Sequence, residues 1–232
     1  MQPGFFITFE GLDGSGKTTQ LHRLKVALEG RNMRITGTRQ PGGTRFGDRV
    51  RSLLLDSREG GLAPRTELAL MFADRAQTIA EVIGPALARG EIVLCDRFTD
   101  STEAYQGGGR ELGAGIVHRM HTAICGDLQP DLTLLLLPDV GRSLTRARHR
   151  NARSTAQQGA DENRFEQEDW AFFQRVAAQY RTIAEREPVR VIVVDSDASI
   201  EQVHARVVQI VEERLASWLH NQPANHLWPY QS

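Results

Sequence analysis

Two periods of hydrophobicity follow one another along this chain, and their order predicts its architecture. Short, almost wholly apolar runs begin at Phe5 and recur at Ile92–Cys95, Leu132–Leu137 and Val189–Val194, with a further strand expected at about Met33–Thr38. Runs of this kind read as strands covered on both faces, as in parallel sheets. Between them apolar residues return at helical spacing, as with Leu21, Leu24, Ala27 and Leu28 ahead of a stop at Gly30. The same period predicts helices over Arg49–Leu55, Thr66–Ala88, Ile116–Cys125, Val140–Arg150, Glu166–Arg186 and Ile200–Leu219. Arg58–Pro64 reads as a connecting loop and Ala152–Asn163 as a polar excursion. Strands alternating with helices predict an α/β fold, a parallel sheet with helices on both faces. One domain over residues 1–220 is expected, with a polar tail over 221–232.

The first strand runs directly into Gly11-Leu12-Asp13-Gly14-Ser15-Gly16-Lys17-Thr18, which matches G-x-x-x-x-G-K-[ST] at every fixed position. The context fits as well, because a phosphate-binding loop requires a strand before it and a helix after it. Glycines at 11, 14 and 16 let the backbone turn tightly and lay successive N–H groups around phosphate oxygens at the positive end of a helix dipole. Lys17 is the candidate to reach the outer phosphates and Thr18 to hold Mg²⁺. Residues 11–18, with Thr19 behind them, are therefore the candidate ATP site.

Charge and cysteine content narrow the setting. A net charge of −1 over 232 residues offers no general footprint for nucleic acid or an acidic membrane, so any anion site is local. No apolar segment approaches the roughly 18 residues that span a bilayer, and no basic run precedes an apolar stretch near Met1, so neither a membrane anchor nor a signal peptide is expected. Two cysteines, Cys95 and Cys125, are too few for a disulfide framework and fit a reducing cytoplasm.

A phosphate loop by itself leaves GTPases, motor ATPases and small-molecule kinases open. The chain holds no N-K-x-D, which removes the base reader of switch GTPases. The Ile92–Cys95 strand delivers Asp96-Arg97 at its carboxyl end, where ligands bind in open α/β sheets. His118 and His121, three apart on a predicted helix, are spaced to share a metal, but no third ligand accompanies them.

The motifs F-E-G-L-D-G-S-G-K-T-T, T-R-Q-P-G-G-T, D-R-F, A-Y-Q-G-G-G-R and P-D-L-T-L stand in that order across nearly the whole length. In them the chain resembles the thymidylate kinase family. The resemblance implies a P-loop nucleoside monophosphate kinase fold with a five-stranded parallel sheet and a small lid, here at about residues 146–166. It also implies ATP and dTMP as substrates, Mg²⁺ as cofactor, a homodimer, and a place in DNA precursor synthesis. By the family pattern Asp13 contacts the sugar 3′-hydroxyl, Arg39 and Arg97 hold the acceptor phosphate, and Asp96 contacts Mg²⁺ through water or positions the acceptor. Arg75 donates to thymine O4, Phe72 stacks on the base, Thr102 and Gln106 are polar partners, and Tyr105 lies against the sugar. In many members the stacking aromatic lies four residues before the arginine, where this chain has Met71.

Three departures shape the catalytic expectation. Some members carry a catalytic arginine in the phosphate loop, where this chain has Gly14, so the charge is expected from the lid, at Arg150, Arg153 and Arg164. Gln40 stands where the family motif usually has a carboxylate, and Leu137 where a strand usually ends in an acid.

Overall fold

A computed structural model of the chain describes residues 4–56, 61–147 and 164–220. Five parallel strands form one sheet in the order β2-β3-β1-β4-β5. They are β1 (Phe5–Glu10), β2 (Ile35–Arg39), β3 (Ile92–Asp96), β4 (Leu132–Leu136) and β5 (Val191–Val194). This is the α/β arrangement expected from the all-apolar runs, because a strand buried on both faces has no polar side to show to water.

Helices cover both faces. On one, α1 (Lys17–Glu29) and α9 (Ile200–His220) pack Leu24, Leu28, Val207 and Val211 against Phe5, Ile7, Leu94 and Leu134. On the other, α3 (Pro64–Thr78) continues through a π-helical turn (Ile79–Ile83) into α4 (Gly84–Ala88), and α6 (Ala114–Cys125) lies beside it. Next to these, α8 (Trp170–Arg186) packs Phe172, Phe173, Val176 and Tyr180 around Tyr105 and Leu135. Two shorter helices, α2 (Arg45–Leu55) and α5 (Thr99–Thr102), stand at the carboxyl edge of the sheet. Residues 140–147 form the described part of α7.

Several boundaries differ from the sequence expectation for local reasons. Helix α2 opens four residues early because Thr44 caps it, its hydroxyl accepting from Gly47 N at 2.9 Å. Pro64 opens α3 ahead of Thr66, since a first-turn proline costs no hydrogen bond. Phe165–Gln167 forms a 3₁₀ turn, and α8 starts only at Trp170, where Asp169 accepts from Phe172 N at 2.7 Å. The glycine-rich stretch after Tyr105 continues α5 as a π-helix over Glu103–Gly109. Its glycines serve helix packing: a Cβ on Gly109 would meet the Phe172 ring at 2.5 Å. Most of the lid expected at 146–166 and the tail at 221–232 lie outside the described residues.

The register brings the carboxyl ends of three strands together. Asp96 pairs with Phe9 on one side and with Arg39 on the other, and Glu10 ends β1 beside Leu135 of β4.

Candidate active site

The phosphate loop joins β1 to α1, with Gly11, Gly14 and Gly16 all at positive φ. The conformation is demanded by close approach as well as by turning. A Cβ on Gly11 would lie 1.9 Å from Leu136 O, and one on Gly14 would lie 2.2 Å from Ser143 O of α7. Position 14 therefore has no room for a side chain of any kind, which fits a phosphate loop without its own arginine. Lys17 opens α1 and folds back over the loop, its Nζ donating to Leu12 O at 2.7 Å and Gly11 O at 3.1 Å. Burial, with the neighbouring Arg97 next, pulls its ammonium down to about 8 against the attraction of Asp13, Asp96 and Glu10. Thr19 is exposed on the first turn of α1.

At the end of β3, Asp96 Oδ2 accepts from the Thr18 hydroxyl at 2.8 Å. A hydroxyl and a carboxylate side by side at a phosphate loop suit Mg²⁺, a hard ion that takes oxygen ligands and keeps several waters. The neighbouring Arg97 has a positive φ of 73°, unusual for a side chain of this size. Its Nη2 donates to Asp13 Oδ1 at 2.7 Å and its Nη1 to Gly11 O at 2.9 Å, so it ties β3 to the phosphate loop. Burial works against the Arg97 charge, but Asp13 and the facing tyrosine oxygens hold its pKa above the ordinary arginine range. Tyr105 completes the group, its hydroxyl donating to Asp13 Oδ2 at 3.0 Å.

Beside these residues opens a cavity lined among others by Asp13, Gln40, Arg75, Arg97, Thr102 and Gln106. Arg75 is 1% exposed and held from three sides: Nε donates to Gln40 Oε1 at 2.8 Å, and Nη2 to Thr102 Oγ1 at 2.9 Å and Phe98 O at 3.1 Å. Among the described residues its buried Nη1 has no hydrogen-bond partner, and neither have Gln40 Nε2 and Gln106 Oε1. Buried polar atoms are nearly always paired, and three of those without a partner among the described residues belong to side chains that line this cavity.

Phe72 does not reach this cavity. It is wholly buried in the core beneath Arg75, whose guanidinium lies 4.8 Å from its ring centroid, and Met71 takes the lining position. Four residues before the arginine is more than one helical turn and three is less; here the former reaches the cavity and the latter points into the sheet-facing core.

Of the arginines expected to meet phosphate, Arg97 lines the cavity, whereas Arg39 is exposed and pairs with Asp48 at 3.2 Å. Arg51 on α2 also lines the cavity and donates to Pro41 O at 3.1 Å. Helix periodicity does not say which of several arginines faces inward, so the sequence alone does not mark it. Arg150 and Arg153 lie outside the described residues. Arg164 is buried, its Nη2 donating to Glu67 Oε2 at 2.8 Å and its Nε to Leu54 O, while Glu67 also accepts from Gln106 Nε2 at 2.7 Å. The two histidines have protein partners: His118 Nε2 meets Glu103 at 2.7 Å, and His121 lies between Thr99 and Gln129. Among the described residues no three His, Cys, Asp or Glu side chains gather as a metal site.

One buried group carried no expectation at all. Glu10, the last residue of β1, is fully buried, and burial, with Asp100 next, lifts its carboxyl to about 7. Sequence alone marks it only as a carboxylate at the end of an otherwise apolar strand.

Comparison with known proteins agrees with this geometry. A sequence model of the family described as thymidylate kinase matches residues 9–207. A thymidylate kinase of Citrifermentans bemidjiense is 46% identical over 214 residues, covering 92% of this chain and 94% of that protein. One from Desulfovibrio desulfuricans is 48% identical over 210 residues, covering 90% and 96%. The crystal structure of thymidylate kinase from Ehrlichia chaffeensis superposes with a TM-score of 0.71 at 33% identity, covering 90% of this chain and 99% of that one. With its nucleotide loop, parallel sheet and full-length similarity taken together, this chain belongs to the thymidylate kinase family.

Proposed function

We propose that the protein transfers the γ-phosphoryl group of ATP to the phosphate of dTMP, giving dTDP and ADP in the supply of DNA precursors. The observation that carries the reading is that Arg75, Gln40 and Gln106 line one cavity and each keeps a polar atom that no other described residue pairs. Two are donors and one an acceptor, and the polar edge of thymine offers acceptor, donor, acceptor through O4, N3–H and O2. Cytosine presents an amino group in place of O4 and a bare N3, which would leave the Arg75 donor and the Gln106 acceptor unmatched.

Asp13 and Tyr105, joined at 3.0 Å, are assigned to the sugar, with the carboxylate on the 3′-hydroxyl and the ring where a 2′-hydroxyl would sit. Arg97 holds the acceptor phosphate, and Arg51 reaches the same cavity. Arg39, which pairs with Asp48, is assigned to the same phosphate. Lys17 and the loop N–H groups hold ATP. Thr18 and Asp96 would hold Mg²⁺, which when bound neutralises charge on the outer phosphates. Transfer spreads charge over three equatorial oxygens, and an arginine against them is worth about 10³–10⁵ in rate, or roughly 4–7 kcal/mol. Gly14 cannot supply it, so the lid arginines Arg150, Arg153 and Arg164 do; for Arg164 this requires release from Glu67. A homodimer in the cytoplasm belongs to the same reading, with Cys95 and Cys125 both buried.

A kinase for another nucleoside monophosphate, or a P-loop protein that binds nucleotide without turnover, would share the phosphate loop. ADP release coupled to a colour reaction, measured against dTMP, dUMP, dCMP and dGMP, separates the three. Fast turnover of dTMP is expected, with dUMP slower and dCMP and dGMP poor; equal rates across the panel or none at all would remove the proposal.

A further inference from the structure

We propose that Glu10 is a positioning residue for the acceptor-phosphate arginine: its buried carboxylate turns the Ser101 and Tyr180 hydroxyls so that both present lone pairs to Arg97, and it anchors the backbone next to that residue. The proposal rests on the assignment of Arg97 to the acceptor phosphate.

The arrangement has two arms that start on one carboxylate. Glu10 Oε1 accepts from Phe98 N at 2.7 Å, immediately after Arg97. Glu10 Oε2 accepts from Ser101 Oγ at 2.5 Å and from Tyr180 Oη at 3.1 Å. Those same two oxygens accept from Arg97 Nη1, at 2.9 Å and 3.3 Å. Ser101 and Tyr180 also lie 2.9 Å from each other.

A hydroxyl has one proton and two lone pairs, so the direction of its proton decides what it offers its other neighbours. Above about pH 7, to which burial has lifted its carboxyl, Glu10 is ionised, and an ionised carboxylate accepts only. Beside it, both hydroxyl protons turn to Glu10, and each oxygen keeps lone pairs for the guanidinium. Were Glu10 an amide, its single acceptor oxygen could not serve Phe98 N and both hydroxyls, and a hydroxyl proton would be driven toward the Arg97 N–H, where it repels.

The backbone arm addresses a second problem. Arg97 holds a left-handed φ of 73°, which a bulky side chain adopts only when its surroundings over-determine it. Arg97 N donates to Phe9 O at 3.0 Å, and the Glu10 bond to Phe98 N fixes the following peptide. Glu10 thus acts on both the main chain and the side chain of a residue that lines the cavity, while it touches no substrate group itself.

The test is a double-mutant cycle read separately for the two substrates. Arg97→Ala alone is expected to cut kcat/KM for dTMP; no loss there would overturn the phosphate assignment and this proposal with it. Glu10→Gln is expected to lower kcat/KM for dTMP by about 10-fold or more, the scale of one buried charged hydrogen bond, while KM for ATP stays within about 2-fold. In the Arg97→Ala background the same Glu10→Gln change is expected to cost under about 2-fold, because coupled residues are not additive. Equal fold-losses with and without Arg97, or a parallel loss for ATP, would mean that Glu10 serves general stability only. Should Glu10→Gln fail to fold, Tyr180→Phe and Ser101→Ala enter the same cycle. Each is then expected to impair dTMP use only when Arg97 is present, and additivity there overturns the proposal as well.

Discussion

The Thr18 hydroxyl donates to Asp96 Oδ2 across 2.8 Å, joining the first turn of α1 to the carboxyl end of β3 over 78 positions of chain. Two oxygen groups that sequence motifs supply separately thus share one corner of the site. Removing either is expected to weaken Mg²⁺ binding. For Asp96→Asn and Thr18→Val the Mg²⁺ concentration giving half-maximal rate should rise about 10–100-fold, the usual cost of disturbing a metal's supporting shell. Unchanged Mg²⁺ titrations in both variants would take the ion away from this corner.

Lys17 spans the loop carbonyls and leads into α1. Lys17→Ala is expected to abolish turnover with every nucleotide tested while the unfolding midpoint stays near that of the parent. Wild-type rates in this variant would end the assignment of the outer phosphates to Lys17.

Among the described residues Arg75 has three neutral oxygen partners and one unpaired nitrogen. Arg75→Ala should lower kcat/KM for dTMP by about 10²-fold or more and leave dCMP little changed, because a lost buried donor affects the base that it fitted. For the parent, dUMP should be slower than dTMP by the worth of one methyl group, about 1–3 kcal/mol. Side-by-side kcat/KM values decide this, and a dCMP loss as large as the dTMP loss would count against base reading by Arg75.

The lid arginines are expected to act on the chemical step. Arg150→Ala, Arg153→Ala and Arg164→Ala should each lower kcat far more than they change KM for dTMP. Arg164 is the most exacting case, since its guanidinium sits on Glu67 beside Gln106. If Arg164→Ala raises KM for dTMP at constant kcat, that residue braces the base pocket instead.

His121 offers a test by pH. Burial, with Arg75 next, pushes its imidazole down to about 4 from the usual 6.5. Below pH 6.5 the unfolded chain takes up a proton there that the folded chain refuses, so His121 costs stability as pH falls, by about 3 kcal/mol at pH 4. Denaturant unfolding of the parent and of His121→Gln, compared between pH 7 and pH 4, should show the parent losing more. Parallel curves would contradict a buried neutral imidazole.

Strand identity, helix identity and the phosphate loop were legible from residue order alone. Periodicity and a glycine-lysine motif are local properties that any stretch carries with it. Boundaries were less legible because caps set them: Thr44 and Pro64 start their helices by single hydrogen-bond and dihedral effects that hydrophobic spacing does not register. The Gly107–Gly109 run is helical and packs closely against α8, a contact that hydrophobic spacing does not register.

Within the site, sequence by itself determined which residue types would be present: the phosphate loop, the Asp-Arg pair and the tyrosine-glutamine motif. Only the tertiary structure decided which side chains face the cavity. Met71 lines it and Phe72 does not, since one residue along a helix turns a side chain by about 100°. Only the folded sheet sets Ser101 from α5 and Tyr180 from α8 between Glu10 of β1 and the Arg97 guanidinium. These contacts join residues up to 170 positions apart, and hydrogen bonds between such distant groups are fixed by the packing of the whole domain, not by any local pattern.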